Sequence, residues 1–169
     1  MAARNQTAPI DDQHVARFRE AMASFPSGVT IVTTTDRGGA WWGFTATSFC
    51  SLSADPPAVL VCLAKDAQCH PAFVDARSWL VHVIHPDHAE LAIRFATHGA
   101  DKFATGDFHA NERGLPLLHR YCAALECTTR SLCDAGDHTI LIGQADNTQL
   151  GWDLPAVYFR RSFHRLAHP

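Results

Sequence analysis

Apolar residues recur at spacings of three and four near the start of the chain, from Asp12 to Phe25. This period matches one face of an α-helix, so it predicts an amphipathic helix. Pro26 follows directly, and we expect the helix to end there because a proline ring blocks helical continuation. The residues on the apolar face are Val15, Phe18, Ala21, Met22 and Phe25.

Beyond this helix, β-branched or continuous apolar runs alternate with turn residues, which predicts strands joined through turns. AVLVCLA is apolar throughout, so we expect burial on both of its faces. SLSADPP is predicted to be a loop, because neither Pro56 nor Pro57 can donate to a strand ladder. The predicted strands are VTIVTTT, WWGFTATSF, AVLVCLA, SWLVHVI, two runs on either side of DAGDH, and one in PAVYFRRSFHRL.

Two more segments, HPAFVDA and AELAIRFAT, carry a helical pattern. The stretch from His98 to Leu118 has no sustained period and is predicted to be a loop with short helical turns. A count of about seven strands against two or three helices, with the strands adjacent in sequence, predicts a mainly β fold. The pattern favours an antiparallel barrel over an alternating βαβ sheet. The apolar side of the predicted helix AELAIRFAT is formed by Leu91, Ala92, Phe95 and Ala96.

The composition sets limits on the number of domains and on the partners. A chain of 169 residues with 47% hydrophobic content predicts one domain with a substantial core, which we place at 13–166 behind a flexible segment, 1–12. The net charge of -3, with no basic cluster, argues against nucleic-acid and membrane partners. The polar start of the chain resembles neither a signal peptide nor a membrane span, so we expect a cytoplasmic protein.

Six cysteines and eleven histidines raise the question of disulfides and metals. No CxxC pair occurs and most of the cysteines lie in apolar runs, so we expect reduced, mostly buried thiols. His82, His85 and His88 fall on no single face, and no HExxH or finger spacing exists, so we expect no metal site. The chain also lacks GxGxxG, GxxxxGK[ST] and GxSxG, which removes the commonest nucleotide loops and the nucleophile elbow.

Five ordered blocks resemble the flavin reductase family, whose fold is the FMN-binding split barrel. The blocks are FPSGVTIVTT, GFTATSFCSLSADPPAVLVCLAK, DHAELAIRFA with ADKFATGDF, GDHTILIG and PAVYFRRSF. The resemblance extends from about Phe18 to Phe163 and implies a dimeric antiparallel split β-barrel. Within the family, the blocks are most similar to the small NAD(P)H:flavin reductase components of two-component monooxygenases, including those of aromatic polyketide pathways.

The resemblance also implies a flavin site. A flavin needs an apolar slot for its ring and hydrogen-bond donors at its edges. In the family the TATS block lines the flavin, which assigns Thr45, Ala46, Thr47 and Ser48 to the cofactor site. By itself the same block is also typical of an ordinary strand and turn.

Further cofactor contacts are implied by the resemblance in the segments that follow. In relatives, the segment that corresponds to CLAKDAQCH wraps the ribityl chain and phosphate. Relatives often have Ser, Asn or Thr at the positions of Gln68 and Cys69. Lys65 is either the phosphate cation or a surface charge, and Lys102 has the same two readings. Phe95 closes the flavin site in relatives or is simply a core residue. The cofactor-binding residues implied here are Cys62, Lys65, Gln68, Cys69, Phe95 and Lys102.

His138 is the one catalytic residue that the resemblance implies, because the histidine of GDH lies by the flavin in the family and helps to place the nicotinamide. Gly136 permits a tight turn there, and Asp137 can orient its neighbour. In relatives, smaller or polar residues usually stand where this chain has Trp41 and Trp42, so the pair is either a wall of the nicotinamide or flavin pocket or a dimer contact.

The implied activity is hydride transfer from NADH or NADPH to FMN, with FAD as the alternative flavin. The reduced flavin then supplies a partner monooxygenase. Two alternatives remain open at this point: a split-barrel enzyme with tightly bound flavin that acts on an organic substrate, and a flavin-binding protein without turnover.

Overall fold

The computed structural model describes residues 11–151 and 153–167. Its helices are α1 (Asp12–Ala23), α2 (His70–Asp75) and α3 (Ala89–Ala96), with a 3₁₀ turn at Pro86–His88. Asp11 caps α1 because its carboxylate accepts the His14 N–H at 2.6 Å. The three predicted helices are therefore confirmed, and α1 begins at the last residue of the segment predicted to be flexible. The rest of that segment, 1–10, lies outside the described residues.

Twelve strands lie within the described residues, more than the sequence pattern indicates. They form a seven-stranded antiparallel sheet in the order β3-β2-β6-β9-β10-β5-β4, a three-stranded sheet β1-β11-β12 and a hairpin β7-β8. The strands are β1 (Ser27–Gly28), β2 (Thr30–Thr35), β3 (Trp41–Ala46), β4 (Cys50–Ala54), β5 (Pro57–Ala64), β6 (Ser78–Val83), β7 (Phe108–Ala110), β8 (Pro116–Leu118), β9 (Ala123–Ala135), β10 (His138–Leu150), β11 (Ala156–Phe159) and β12 (Ser162–Arg165).

The large sheet curls into a barrel. β3 and β5 are first and sixth in the strand order, yet Phe44 of β3 and Val61 and Leu63 of β5 pack in the same core cluster. Trp79, on the interior strand β6, is fully buried in that cluster. The predicted antiparallel split-barrel fold is confirmed.

The strand β4 corrects the prediction of a loop over SLSADPP. Pro57 pairs with Ala54 at the end of the β4–β5 hairpin, so the prolines stand at the turn and interrupt no central ladder. Because β4 is an edge strand, its outer side needs no partner. The expectation that β5 is buried on both faces is also wrong: buried residues alternate with more exposed ones along it, since only one face packs on the core.

Two short hairpins were missed by the sequence pattern. β7 and β8 lie inside the predicted loop 98–118, and strands of three residues are too short for an alternation to be recognised. The last predicted strand is a hairpin, β11–β12. Its turn places Arg160 (φ 47°) and Arg161 (φ 62°) in the left-handed region, where glycine or asparagine is the usual signal.

The cysteines are all free, as expected. Only three of them, Cys69, Cys122 and Cys127, are buried. Cys50 on β4 and Cys133 on β9 are exposed. Within the described residues, no group of three His, Cys, Asp or Glu side chains could hold a metal ion. No helix in the described part of the chain is long and apolar enough to cross a membrane.

The apolar face of α1 has no partner within the described chain. None of its residues is buried, and Phe18 and Met22 are 59% and 52% exposed. Phe25, just beyond the helix, is 67% exposed. An apolar face of this kind needs an explanation, because single exposed apolar residues are ordinary but a contiguous set is not.

Candidate active site

A cavity of about 340 Å³ opens between β3, β5 and α3, with the β9–β10 turn at its rim. Its volume lies at the lower end of the range of about 300–1,000 Å³ that is typical of small-molecule sites. Phe44, Leu63 and Phe95 pack behind its walls, where they are 7%, 1% and 0% exposed. Its polar residues are Thr45, Asp66, Gln68, Thr97, His98, Lys102 and His138.

The cavity brings together six of the eleven residues assigned to the site from the sequence. These six come from five separate segments of the chain, and they are Thr45, Cys62, Gln68, Phe95, Lys102 and His138. The other five do not line it, and they are Ala46, Thr47, Ser48, Lys65 and Cys69.

Strand geometry explains the placement of the TATS block. Side chains alternate along β3, so Thr45 points into the cavity whereas Ala46 is buried in the core. Thr47 lines a separate, more apolar pocket of about 230 Å³, which shares Thr45 with the main cavity. The Ser48 hydroxyl accepts the Cys62 N–H at 3.0 Å and so joins the end of β3 to β5.

Tight contacts hold β3 against α3. The Thr45 hydroxyl donates to the Ala92 carbonyl at 2.6 Å, and the Lys102 ammonium donates to the carbonyls of Gly43 at 3.0 Å and Phe95 at 2.8 Å. A Cβ on Gly43 would lie 2.6 Å from the Phe95 ring, so only glycine permits this approach. We call Gly43, Thr45, Phe95 and Lys102 the β3–α3 seam.

The turn between β9 and β10 lies at the rim of the cavity, which it lines through His138. Lys65 donates to the Asp134 carboxylate and, at 2.6 Å, to the Gly136 carbonyl, while its backbone N–H donates to the Asp137 carbonyl at 2.9 Å. Because Lys65 holds this turn and does not line the cavity, its ammonium is already engaged away from any ligand there. We call Lys65, Asp134, Gly136, Asp137 and His138 the hairpin rim.

His138 stands on the rim with its orientation fixed by its neighbour. Its Nδ1 lies 2.7 Å from the Asp137 carboxylate, and since a carboxylate only accepts, Nδ1–H is the donor. This hydrogen bond lowers the pKa of Asp137, and the hydrogen bond from Lys65 lowers the pKa of Asp134. Gly136, with φ of 64°, supplies the left-handed residue of the turn.

Two residues predicted near the phosphate have other partners. Cys69 is 1% exposed and packs in the core with Phe73, and burial raises the pKa of its thiol. It is therefore placed poorly to contact a ligand in the cavity. The Gln68 side-chain carbonyl accepts the Gly99 N–H at 2.7 Å, so Gln68 joins the two loops at this end of the site.

The tryptophan pair lies outside the cavity wall. The Trp42 indole N–H donates to Asp36 at 2.8 Å, and Asp36 also accepts backbone N–H groups in the β2–β3 turn. Trp41 packs edge-on against Phe103, with ring centroids 5.4 Å apart. Neither residue is among those that line this cavity.

Several lining residues escaped the sequence reasoning. Phe44 precedes the TATS block, and Thr97 and His98 follow α3 directly. The signal that could have found them is adjacency, because each is next to a block that the resemblance assigns to the site. Asp66, the one carboxylate among the lining residues, follows Lys65 in the same way.

The residues present suit a flavin ring better than they suit a phosphate. Apolar walls, the Thr45 hydroxyl and the His138 imidazole match a planar ring with polar edges. Lys102 is the only Lys or Arg among the described lining residues, and burial lowers its pKa. With Asp66 nearby on the wall, the cavity offers little positive charge.

The comparisons with known proteins agree with this geometry. The model of the family described as "Flavin reductase like domain" matches residues 22–167. The "Actinorhodin polyketide dimerase" of Streptomyces coelicolor is 46% identical over 150 residues, which cover 88% of this chain and 85% of the relative. The "NADH:riboflavin 5'-phosphate oxidoreductase" of Streptomyces pristinaespiralis is 41% identical over 150 residues, 87% of this chain and 85% of the relative.

A reductase component and a solved structure extend the comparison. The reductase component of the 4-nitrophenol 4-monooxygenase/4-nitrocatechol 2-monooxygenase of Rhodococcus opacus is 37% identical over 94% of this chain and 83% of its own length. The NADH:FAD oxidoreductase of Streptomyces globisporus C-1027, solved in complex with NAD and FAD fragments, superposes with a TM-score of 0.85. It is 33% identical, and the match covers 95% of this chain and 98% of that one. The chain belongs to the flavin reductase-like domain family.

Proposed function

We propose that this protein is an NADH-dependent flavin reductase that reduces FMN, with FAD as the alternative flavin. The observation that carries the proposal is the cavity itself. Five segments of the chain converge on it, and they place Phe95 and Thr45 on one side and His138 on the other. The named activities of relatives, which act on NADH with riboflavin 5'-phosphate or FAD, support the same reaction.

Within this proposal the chain binds and orients, and the bound cofactors supply the redox chemistry. A bound flavin would accept hydride at N5 from the nicotinamide of NADH, provided that the two rings are held in contact. The β3–α3 seam provides one wall for the flavin ring, with the buried Phe95 ring packed behind it. His138 positions the nicotinamide: with Nδ1–H committed to Asp137, its Nε2 is the ring nitrogen left for a ligand. No side chain is required as a nucleophile.

We further propose that flavin exchanges during turnover and carries electrons to a flavin-dependent monooxygenase. The scarcity of cations along the cavity supports weak phosphate binding and therefore release. Relatives named as reductase components of monooxygenases support the partner, and the relative from the actinorhodin pathway favours aromatic natural-product biosynthesis. The same scarcity of positive charge argues against the alternative of a tightly held flavin.

We propose that the protein is a homodimer. The apolar face of α1, with Phe18, Met22 and the adjacent Phe25 exposed, is a surface that a second copy would cover. Dimerisation would be visible as a doubled mass in light scattering at micromolar concentration. Six free cysteines fit a reducing compartment, and we place the protein in the cytoplasm.

The function is tested by following NADH oxidation at ~340 nm by the purified protein, with FMN, FAD or riboflavin added in turn. We expect turnover that rises with free flavin and saturates, with NADPH as the comparison donor. Turnover that does not depend on added flavin, with yellow protein after purification, would favour a tightly bound cofactor. Flavin binding without oxidation of either nicotinamide would overturn the reductase assignment.

A further inference from the structure

The Lys102 ammonium is already bound by the protein's own backbone, unlike a lysine whose charge is free to bind a cofactor phosphate. Its ammonium donates to two backbone carbonyls, at 3.0 Å to Gly43 in β3 and at 2.8 Å to Phe95 in the last turn of α3. Phe95 is among the last four residues of α3, whose carbonyls lack partners inside the helix. A cation at this end also complements the helix dipole. Lys102 therefore satisfies a helix terminus and joins that terminus to the barrel.

The β3–α3 seam is close-packed as well as hydrogen-bonded. Gly43 has room for no side chain, because a Cβ there would meet the Phe95 ring at 2.6 Å and the Val32 carbonyl oxygen at 2.9 Å. Thr45, two residues further along β3, donates to the Ala92 carbonyl one helical turn before Phe95. Three side-chain hydrogen bonds and one ring-to-backbone contact thus fix α3 against β3.

The β3–α3 seam also forms part of the cavity wall. Thr45, Phe95 and Lys102 all line the cavity, and Phe95 is fully buried among Phe103 and Phe108. Because the Phe95 ring is fully buried, it supports this wall from behind, and the contacts between β3 and α3 fix where Thr45 and Lys102 stand at the cavity surface. An ammonium that already serves two carbonyls at 2.8 and 3.0 Å has at most one N–H left for any ligand.

We propose that Lys102 is a positioning residue whose hydrogen bonds fix the spacing of the β3–α3 seam. It contributes to flavin binding by holding this wall in place for the ring system, and not by contacting the flavin phosphate. The inference rests on the proposed function, since it concerns the same cavity. It predicts that the contribution of Lys102 to binding is independent of whether the flavin carries a phosphate.

The test compares FMN with riboflavin, which differ only by the phosphate, in titrations followed by flavin fluorescence. For Lys102→Met we expect the Kd to rise for both flavins by a similar factor, about tenfold, because loss of the clamp loosens the shared wall. The melting temperature should fall in the same variant. Lys102→Arg, which can donate to both carbonyls, should recover most of the affinity for both flavins.

The matched control is Arg37→Met, which removes one cation from an exposed ion pair with Asp75 (3.6 Å) away from the cavity. We expect it to change neither Kd. Should Lys102→Met fail to fold, Lys102→Gln keeps one donor group without the charge, and the same equal rise for FMN and riboflavin is expected.

Two results would overturn the inference. If FMN binding weakens tenfold while riboflavin binding is unchanged, Lys102 is a phosphate ligand. If a folded variant binds both flavins as the wild type does, the seam does not shape the site. A wild-type protein that binds neither flavin is a separate outcome, because it would overturn the proposed function before any variant is compared.

Discussion

The two sides of the cavity are built in different ways. The β3–α3 seam is buried at Gly43 and Phe95 and partly buried at Thr45 and Lys102, it requires glycine at position 43, and its side-chain hydrogen bonds go to backbone carbonyls. The hairpin rim is held by exposed polar contacts: Lys65 forms an ion pair with Asp134, whose side chain is 81% exposed, and His138 donates a hydrogen bond to Asp137, whose side chain is 93% exposed. Close packing resists displacement, whereas exposed ion pairs are weak and screened by salt. One side is thus suited to hold a ring in a fixed slot, and the other can adjust to a second ligand that enters and leaves.

Gly43→Ala should have the largest effect, because it attacks the seam directly. The new Cβ would press on the Phe95 ring and on the Val32 carbonyl, which cannot move without disturbing β2. We expect the free energy of unfolding to fall by about 3 kcal/mol and flavin binding to be lost. Chemical denaturation and flavin titration measure the two effects.

Gly28→Ala is the control for this variant, since nothing lies within 4 Å of a Cβ built at Gly28. If Gly43→Ala were as stable as Gly28→Ala, the seam would not be rigid and the contrast between the two sides would disappear.

Acid should lower the free energy of unfolding through His82, which packs near the seam. This residue is fully buried, its Nδ1 is 2.9 Å from the Ile31 carbonyl, and its ring meets Phe108, which packs on Phe95. Burial lowers the pKa of His82 from 6.5 to about 4. The unfolded chain therefore binds a proton between those values while the folded chain does not, so stability is complete above about pH 6.5 and is lost as the pH falls towards 4.

The loss should amount to about 2 kcal/mol between roughly pH 7.5 and pH 5. Urea denaturation at both pH values measures it. A His82→Gln variant cannot titrate, so its stability should depend less on pH over this range, whatever its absolute stability. An equal pH dependence in both proteins would show that His82 is not the group responsible.

His138→Asn probes the rim and should affect the nicotinamide more than the flavin. We expect kcat/KM for NADH to fall by about tenfold, equivalent to about 1.4 kcal/mol, with the Kd of the flavin changed little. Steady-state kinetics with varied NADH, beside a flavin titration, separates the two. If flavin affinity fell instead, His138 would belong to the flavin wall and the division of the cavity would be wrong.

Lys65→Met should have the smallest effect on stability. Its ion pair with Asp134 is exposed, so we expect the free energy of unfolding to change by less than about 1 kcal/mol. The difference from wild type should shrink further in ~1 M salt, where charges are screened within about 3 Å. A loss as large as that of Gly43→Ala would mean that the rim is as rigid as the seam.

Much of this molecule could be predicted from short-range pattern. The helix α1 and the long strands β9 and β10 on either side of the DAGDH break follow from periodicity and turn chemistry, which act over a few residues. The hairpins β7–β8 and β11–β12 did not follow, because three- and four-residue strands carry too few alternating positions. The pair Arg160 and Arg161 gave no turn signal at all.

The sequence by itself determined the family and the mainly β architecture, because those depend on ordered blocks of residues along the chain. Only the tertiary structure decided which of the candidate residues line the cavity and what each of them contacts. Lys65, Cys69 and Lys102 look alike as candidates in the sequence, yet one holds the hairpin rim, one is in the core and one clamps α3 to β3. A side chain's role depends on which acceptor it meets, and those acceptors, Asp134 and Gly43, lie 69 and 59 positions away in the chain.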